Sequence, residues 1–378
     1  MSEIKYPFLD LGTVNAPYFE AMKEAAARVI ESGRYIGGQE VEAFERDMAA
    51  LCMTPYAVGV SNGLDALRLI LEGYKALGRL KEGDEVIVPA NTYIASVLAV
   101  TQAGLTPVLV DPDYETMNLS ARGIEEGLSE RTRAVMPVHL YGRVAWDEDM
   151  AEVCRHNNLI VLEDAAQSIG ARSSVKGIHG SDMAGGLGDA AAMSFYPTKN
   201  VGAIGDAGCV MTHDRELANA IRALANYGSD RRYHNIFCGF NCRLDPIQAA
   251  MTRVKLADVN KANARRFARA VAYDRHITNP LIKKPLISPT VTDCVWHQYV
   301  IRVAEGRRDE LQSYLEAEGV GTDIHYAVPP HLQPCYKSLN HKPLPVTEQL
   351  AREILSLPIS DCTSEKEARQ IANIINRF

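Results

Sequence analysis

A chain of 378 residues is too long for one small core and short for three ordinary domains, so a large domain with a smaller one is expected. Hydrophobic residues at 47% and charged residues at 23% are the proportions of a soluble globule. A formal net charge of −7 argues against a nucleic-acid partner, which needs clustered Lys and Arg, and Arg231-Arg232 is too short to reverse this.

From the amino terminus, Met1 to Pro7 lacks the basic and apolar regions of a secretory signal. No uninterrupted apolar stretch approaches a membrane span, so a cytoplasmic protein with no membrane partner is expected. Pro17 to Ser32 and Glu40 to Leu51 read as helices, the first opening on proline and ending before Gly33. Val58 to Val60 is a short apolar strand that breaks at Ser61-Asn62-Gly63 into an amphipathic helix running to about Lys75. Such a helix start suits a phosphate, and equally an ordinary cap and turn. Strands are predicted at Glu85 to Pro89, Pro107 to Asp111, Arg133 to His139, Leu159 to Asp164, Ala190 to Phe195 and Gly208 to Thr212. Alternating with helical patterns, they predict an α/β fold with a mainly parallel sheet.

Ligands bind at strand carboxyl ends in such sheets, which singles out the residues found there. Tyr93, after the Glu85 strand, offers a ring for stacking, or a core tyrosine. Asp164 ends its strand as a partner for a pyridine nitrogen or as a helix cap, with Gln167 close behind. His139-Leu140-Tyr141 follows another strand and reads as near the substrate or as buried structure. Lys199 lies between the Ala190 strand and a turn containing Gly202, Gly205 and Gly208, where it reads as a desolvated amine suited to covalent catalysis, with glycines that admit a bulky ligand, or as a solvated loop lysine.

Among eight scattered cysteines, Cys238 and Cys242 are the closest pair, and packing rather than a metal site is expected. A long helix is predicted over Pro246 to Ala270, which places the domain boundary at 245/246: a large domain 1–245 and a smaller α/β domain 246–378. Tyr299 to Val303 and Arg308 to Gly319 give a strand and a helix. The following Thr322 to His331 is a proline-rich loop whose His325, Tyr326 and His331 are candidate substrate contacts. Gly185-Gly186-Leu187-Gly188 precedes a strand and so is no dinucleotide fingerprint, which excludes a nicotinamide oxidoreductase.

These segments, with Pro7-Phe8-Leu9-Asp10, Ser32 to Gly38 and Gly239 to Asp245, together resemble the DegT/DnrJ/EryC1/StrS sugar aminotransferases over nearly the whole chain. The resemblance implies the aspartate-aminotransferase fold (fold type I) and pyridoxal 5'-phosphate as cofactor. It implies Lys199 as the lysine carrying the cofactor, Asp164 at the pyridine nitrogen, Tyr93 stacked on the ring and Gln167 beside it. The phosphate would meet Asn62, Gly63 and Ser194, together with Asn241 from the partner subunit of a homodimer. Glutamate would be the amino donor and a nucleotide-linked keto-deoxysugar the acceptor, most like a dTDP-3-keto-6-deoxyhexose. The alternatives are a 4-keto sugar or a regulatory relative without turnover; the four residues Tyr93, Asp164, Gln167 and Lys199 favour an enzyme, and no metal is implied.

Overall fold

The computed structural model describes residues 4–288, 292–339 and 342–378, so the first three residues of the amino-terminal stretch lie outside the described chain. Apolar runs bounded by glycine and small polar residues form seven strands: β1 Tyr56–Val60, β2 Glu85–Pro89, β3 Thr106–Val110, β4 Thr132–Val135, β5 Ile160–Asp164, β6 Ala190–Ser194 and β7 Gly208–Thr212. They make one sheet in the order β1-β7-β6-β5-β4-β2-β3. Pairing is parallel from β3 through β2, β4 and β5 to β6, whereas β7 runs antiparallel to both β6 and β1.

Both faces are covered, as a parallel sheet requires. Side chains alternate along β6: Ala190 and Ala192 join one apolar cluster with Leu67, Ile70 and Leu217, and Ala191 and Met193 join another with Phe44 and Met48. The expected helix Glu40 to Leu51 is found as Gln39–Cys52. The one expected from Pro17 is a 3-10 turn at Ala16–Tyr18 followed by Phe19–Ser32, which stops at Gly33 with φ +64°.

A second core surrounds a small antiparallel sheet of β8 Ile282–Lys283, β9 Tyr299–Val303 and β10 Ile354–Leu357. Helices Arg308–Ala317 and Glu365–Ile375 pack there through Leu311, Leu315, Ile371 and Ile375. The single helix expected over Pro246 to Ala270 is two, Pro246–Leu256 and Val259–His276. The break falls at Asp258, whose carboxylate accepts from Tyr18 (2.8 Å) and Arg265 (2.8 Å), a long-range contact that apolar periodicity does not register. Set against the expected boundary at 245/246, Ala249 and Leu256 pack in the large-sheet core, and the packing changes hands inside Val259–His276: Val259 belongs to that core, Ala270 and Tyr273 to the second.

Glu163, next to the end of β5, is fully buried and ties the sheet to its loops. Its carboxylate accepts from the N–H groups of Gly185, Leu187 and Gly188 and from His139 Nε2, each at 2.8 Å. His139 Nδ1 accepts from Ala145 N at 3.0 Å, so the imidazole is spent on structure rather than facing a substrate. Glu163→Leu removes the one acceptor for four buried donors and should cost about 3–5 kcal/mol. A urea-unfolding free energy within 1 kcal/mol of wild type would show that these donors find other partners.

Candidate active site

A cavity of about 450 Å³ opens at the carboxyl edge of the large sheet. Because β1, β2, β5 and β6 all point the same way, the residues that end them converge: Asn62, Tyr93, Asp164 and Ser194 line one space. The β6–β7 connection brings Lys199, and the second core closes the other side with His297, Gln298, His325 and Tyr326. Gly63 and Gln167 also line it.

Asp164 is buried and does not cap a helix, since none follows β5 directly. Oδ2 accepts from Ser96 Oγ (2.7 Å) and Oδ1 from Ala166 N (3.1 Å), which fixes the orientation of a carboxylate that lines the cavity. Ser96 is itself bonded to Thr92 Oγ1 at 2.9 Å. Burial pushes the Lys199 amine down to about 8, and the Asp164 charge works against that fall by favouring the ammonium form.

At the far end the helix Gly63–Ala76 begins. The Asn62 side chain accepts from Asp65 N (2.8 Å), so this residue is a cap and a cavity residue at once. The first N–H groups, on Gly63 and Leu64, have no intrahelical acceptor and line the cavity, a ready site for a dianion. A Cβ on residue 63 would lie 2.7 Å from Ser194 Cβ, and one on residue 208 would lie 2.4 Å from the Asn62 backbone. Glycine at both positions lets the three strand ends close into a cradle. A flat pyridine ring carrying a phosphate fits this set, since a helix start, a carboxylate and an amine line one cavity.

Tyr93 is 54% exposed, its ring 5.2 Å from that of Tyr326. Gln167 accepts from Tyr141 N (2.6 Å) through Oε1 and donates to Tyr326 Oη (3.2 Å) through Nε2. Tyr141 Oη in turn donates to the His325 carbonyl. The loop carrying His325 and Tyr326 is thereby fastened to the large sheet.

Two of the expected site residues do not line this chain's cavity, and for Asn241, expected to act from the partner subunit, that is no departure. His331 is fully buried on the turn Pro330–Leu332 with Nε2 3.5 Å from Glu348 Oε1, because the prolines fold it against helix Pro345–Glu353 rather than toward the cavity. Asn241 is exposed and outside its own chain's cavity, held by backbone pairing with Asn226. The glycines after Lys199 also differ from expectation: a Cβ at 202 would strike Pro197 O at 2.2 Å and one at 205 the Gln248 side chain at 2.6 Å, so they admit the chain itself, not a ligand.

Four cavity-side residues escaped the sequence reading: Ser96, Asn200, His297 and Gln298. Asn200 Nδ2 donates to Asn263 Oδ1 and Val295 O (both 3.0 Å), so its Oδ1 faces His297 Nδ1 (3.2 Å) as acceptor. Burial and the Lys199 charge hold the His297 imidazole well below its ordinary range, hence neutral. The available signal was position: His297 and Gln298 directly precede β9, and Ser96 lies in the first turn after Tyr93.

A sequence profile described as the DegT/DnrJ/EryC1/StrS aminotransferase family matches residues 19–376. The dTDP-3-amino-3,6-dideoxy-alpha-D-galactopyranose transaminase of Aneurinibacillus thermoaerophilus is 46% identical, covering 98% of this chain and 99% of that one. The dTDP-3-amino-3,4,6-trideoxy-alpha-D-glucose transaminase of Streptomyces venezuelae is 44% identical over 99% and 96%. The crystal structure of S. venezuelae DesV in complex with a ketimine intermediate superposes with a TM-score of 0.90 at 43% identity, covering 98% of each chain.

The opposing effects on Lys199 give a pH test. Labelling of the Lys199 peptide in cofactor-free protein by a small aldehyde with borohydride should rise with a midpoint near pH 8. Asp164→Asn removes the charge that favours ammonium, so the midpoint should move lower. A midpoint near 10.5, or a rise on that substitution, would contradict the cavity electrostatics.

Proposed function

Because this chain belongs to the DegT/DnrJ/EryC1/StrS aminotransferase family, we propose that it transfers an amino group from glutamate to the 3-keto carbon of a dTDP-linked 6-deoxyhexose, with pyridoxal 5'-phosphate in the cavity. The observation that carries this reading is the meeting of Lys199, its amine lowered to about 8, with the fixed Asp164 carboxylate in one cavity. The two relatives named as dTDP-3-amino-sugar transaminases, matching nearly end to end, support the sugar class.

When bound, the cofactor supplies the electron sink that allows a C–H bond beside nitrogen to break. The chain's residues do the rest. Asn62, Gly63 and Ser194 would receive the phosphate, and the Asp164 carboxylate would keep a proton on the ring nitrogen. Tyr93 would cover one ring face. Lys199 Nζ would hold the cofactor covalently and, once displaced, take a proton from the donor's α-carbon and, in the second half-reaction, deliver one to the sugar carbon that gains the nitrogen, a shuttle suited to an amine near 8. Neutral His297 adds no charge to compete with that amine.

Purified protein loaded with the cofactor should show the visible band of lysine-bound pyridoxal phosphate and shift on adding glutamate. Lys199→Ala should abolish borohydride trapping of the cofactor on the chain, and Asp164→Asn should slow turnover by orders of magnitude. Trapping at another lysine would overturn the role of Lys199. Amination of a 4-keto but not a 3-keto dTDP sugar would overturn the substrate.

The active unit is proposed to be a homodimer, with Asn241 reaching the phosphate in the partner's cavity; its exposure outside its own cavity supports this. Mixing inactive Lys199→Ala chains with inactive Asn241→Asp chains should restore activity in mixed dimers, where one site keeps both wild-type residues. No recovery despite demonstrated subunit exchange would place Asn241 within its own chain.

A further inference from the structure

Beside the main cavity lies a second chamber of about 230 Å³ that shares Thr198, His297, Gln298 and His325 with it and so opens next to Lys199. One side of it is apolar, from Phe8, Leu9, Leu11 and Ile359; the rest is polar, and it includes Arg266, which is 2% exposed. Nη1 donates to the carbonyls of Trp296 and Ile359, each at 3.2 Å, and Nε has no partner among the described residues. No carboxylate is bonded to this guanidinium. The acid whose charge acts most on it, Asp361, is engaged by Arg265 at 3.3 Å. Lys255, buried close by, is likewise bonded to neutral oxygens, Gly202 O and Asn15 Oδ1. The acid lining the chamber, Asp323, is 61% exposed and lies 3.7 Å from His325 Nε2.

A buried cation without a counter-ion is costly unless an anion arrives to meet it. We propose that this chamber is the carboxylate subsite for the amino donor, with Arg266 receiving one carboxylate of a dicarboxylic amino acid while its amino group faces Lys199. The inference rests on reading the chain as a glutamate-dependent aminotransferase. Chemistry favours this ligand over the sugar's nucleotide: a planar carboxylate matches the guanidinium fork, methylenes suit the apolar side, and the volume is small for a nucleoside diphosphate.

The test separates the two half-reactions in cofactor-loaded protein and adds calorimetric binding of glutarate, a dicarboxylate with no amine to react. Arg266→Gln keeps an amide donor for the two carbonyls while removing the charge. Leu9→Glu leaves Arg266 in place and fills the chamber with a carboxylate. Each should raise the glutamate concentration that half-saturates the spectral change by about 10- to 100-fold and weaken glutarate binding alike. Half-saturation by the keto sugar, measured with protein already converted to the pyridoxamine form, should stay within about twofold. Unchanged glutamate and glutarate affinities in Leu9→Glu, or in a folded Arg266→Gln, overturn the subsite. Weakened sugar saturation with glutamate unaffected assigns the chamber to the nucleotide and overturns it too. A wild-type protein that binds glutarate but converts no amino donor keeps the subsite and sinks the functional reading instead.

Discussion

Two opposed influences on a single amine, removal from water and a nearby carboxylate, organise this molecule. Burial lowers the Lys199 amine and the Asp164 charge favours its ammonium form; the balance falls at about 8, so a fraction of the amine is free base near neutral pH. Each influence needs a structural support. The apolar strand β6 and the second core wall in the amine's cavity, and the hydroxyl of Ser96 with the N–H of Ala166 keeps the carboxylate in place. The Glu163 network serves the same end one residue earlier, anchoring the end of β5 from below so that Asp164 emerges at a fixed height.

Sheet polarity explains why the site could be assembled from short, separated segments. Four strands end at the same edge, so Asn62, Tyr93, Asp164 and Ser194 meet although more than a hundred residues separate the first from the last. The antiparallel β7 contributes its beginning rather than its end, and Gly208 there is pressed against Asn62. The second core adds the lid side through His297, His325 and Tyr326, and Gln167 with Tyr141 binds that lid to the sheet.

Much of this was legible in the sequence because strand ends carry their own punctuation. Glu85–Pro89 and Gly208–Thr212 fall where apolar runs meet proline or glycine, Asp164 closes such a run, and Lys199 lies in the connection after one. What escaped was set by distant contacts. The break at Asp258 depends on Tyr18, and the inward turn of His331 depends on helix Pro345–Glu353. The glycines after Lys199 answer to Pro197 and Gln248 rather than to a ligand, and the polar partners Ser96, Asn200 and His297 acquire meaning only once Asp164, Asn263 and Lys199 surround them.

The closeness of residue 63 to Ser194 carries an evolutionary consequence. Any side chain at 63 would meet the Ser194 Cβ at 2.7 Å, so the tolerance of one position is conditional on the occupant of the other. Neighbours in direct contact are those whose substitutions fail to add. A descendant lineage could therefore enlarge residue 63 only after shrinking 194, and the order of those two steps, not merely their sum, decides whether every ancestor along the path keeps the cradle closed.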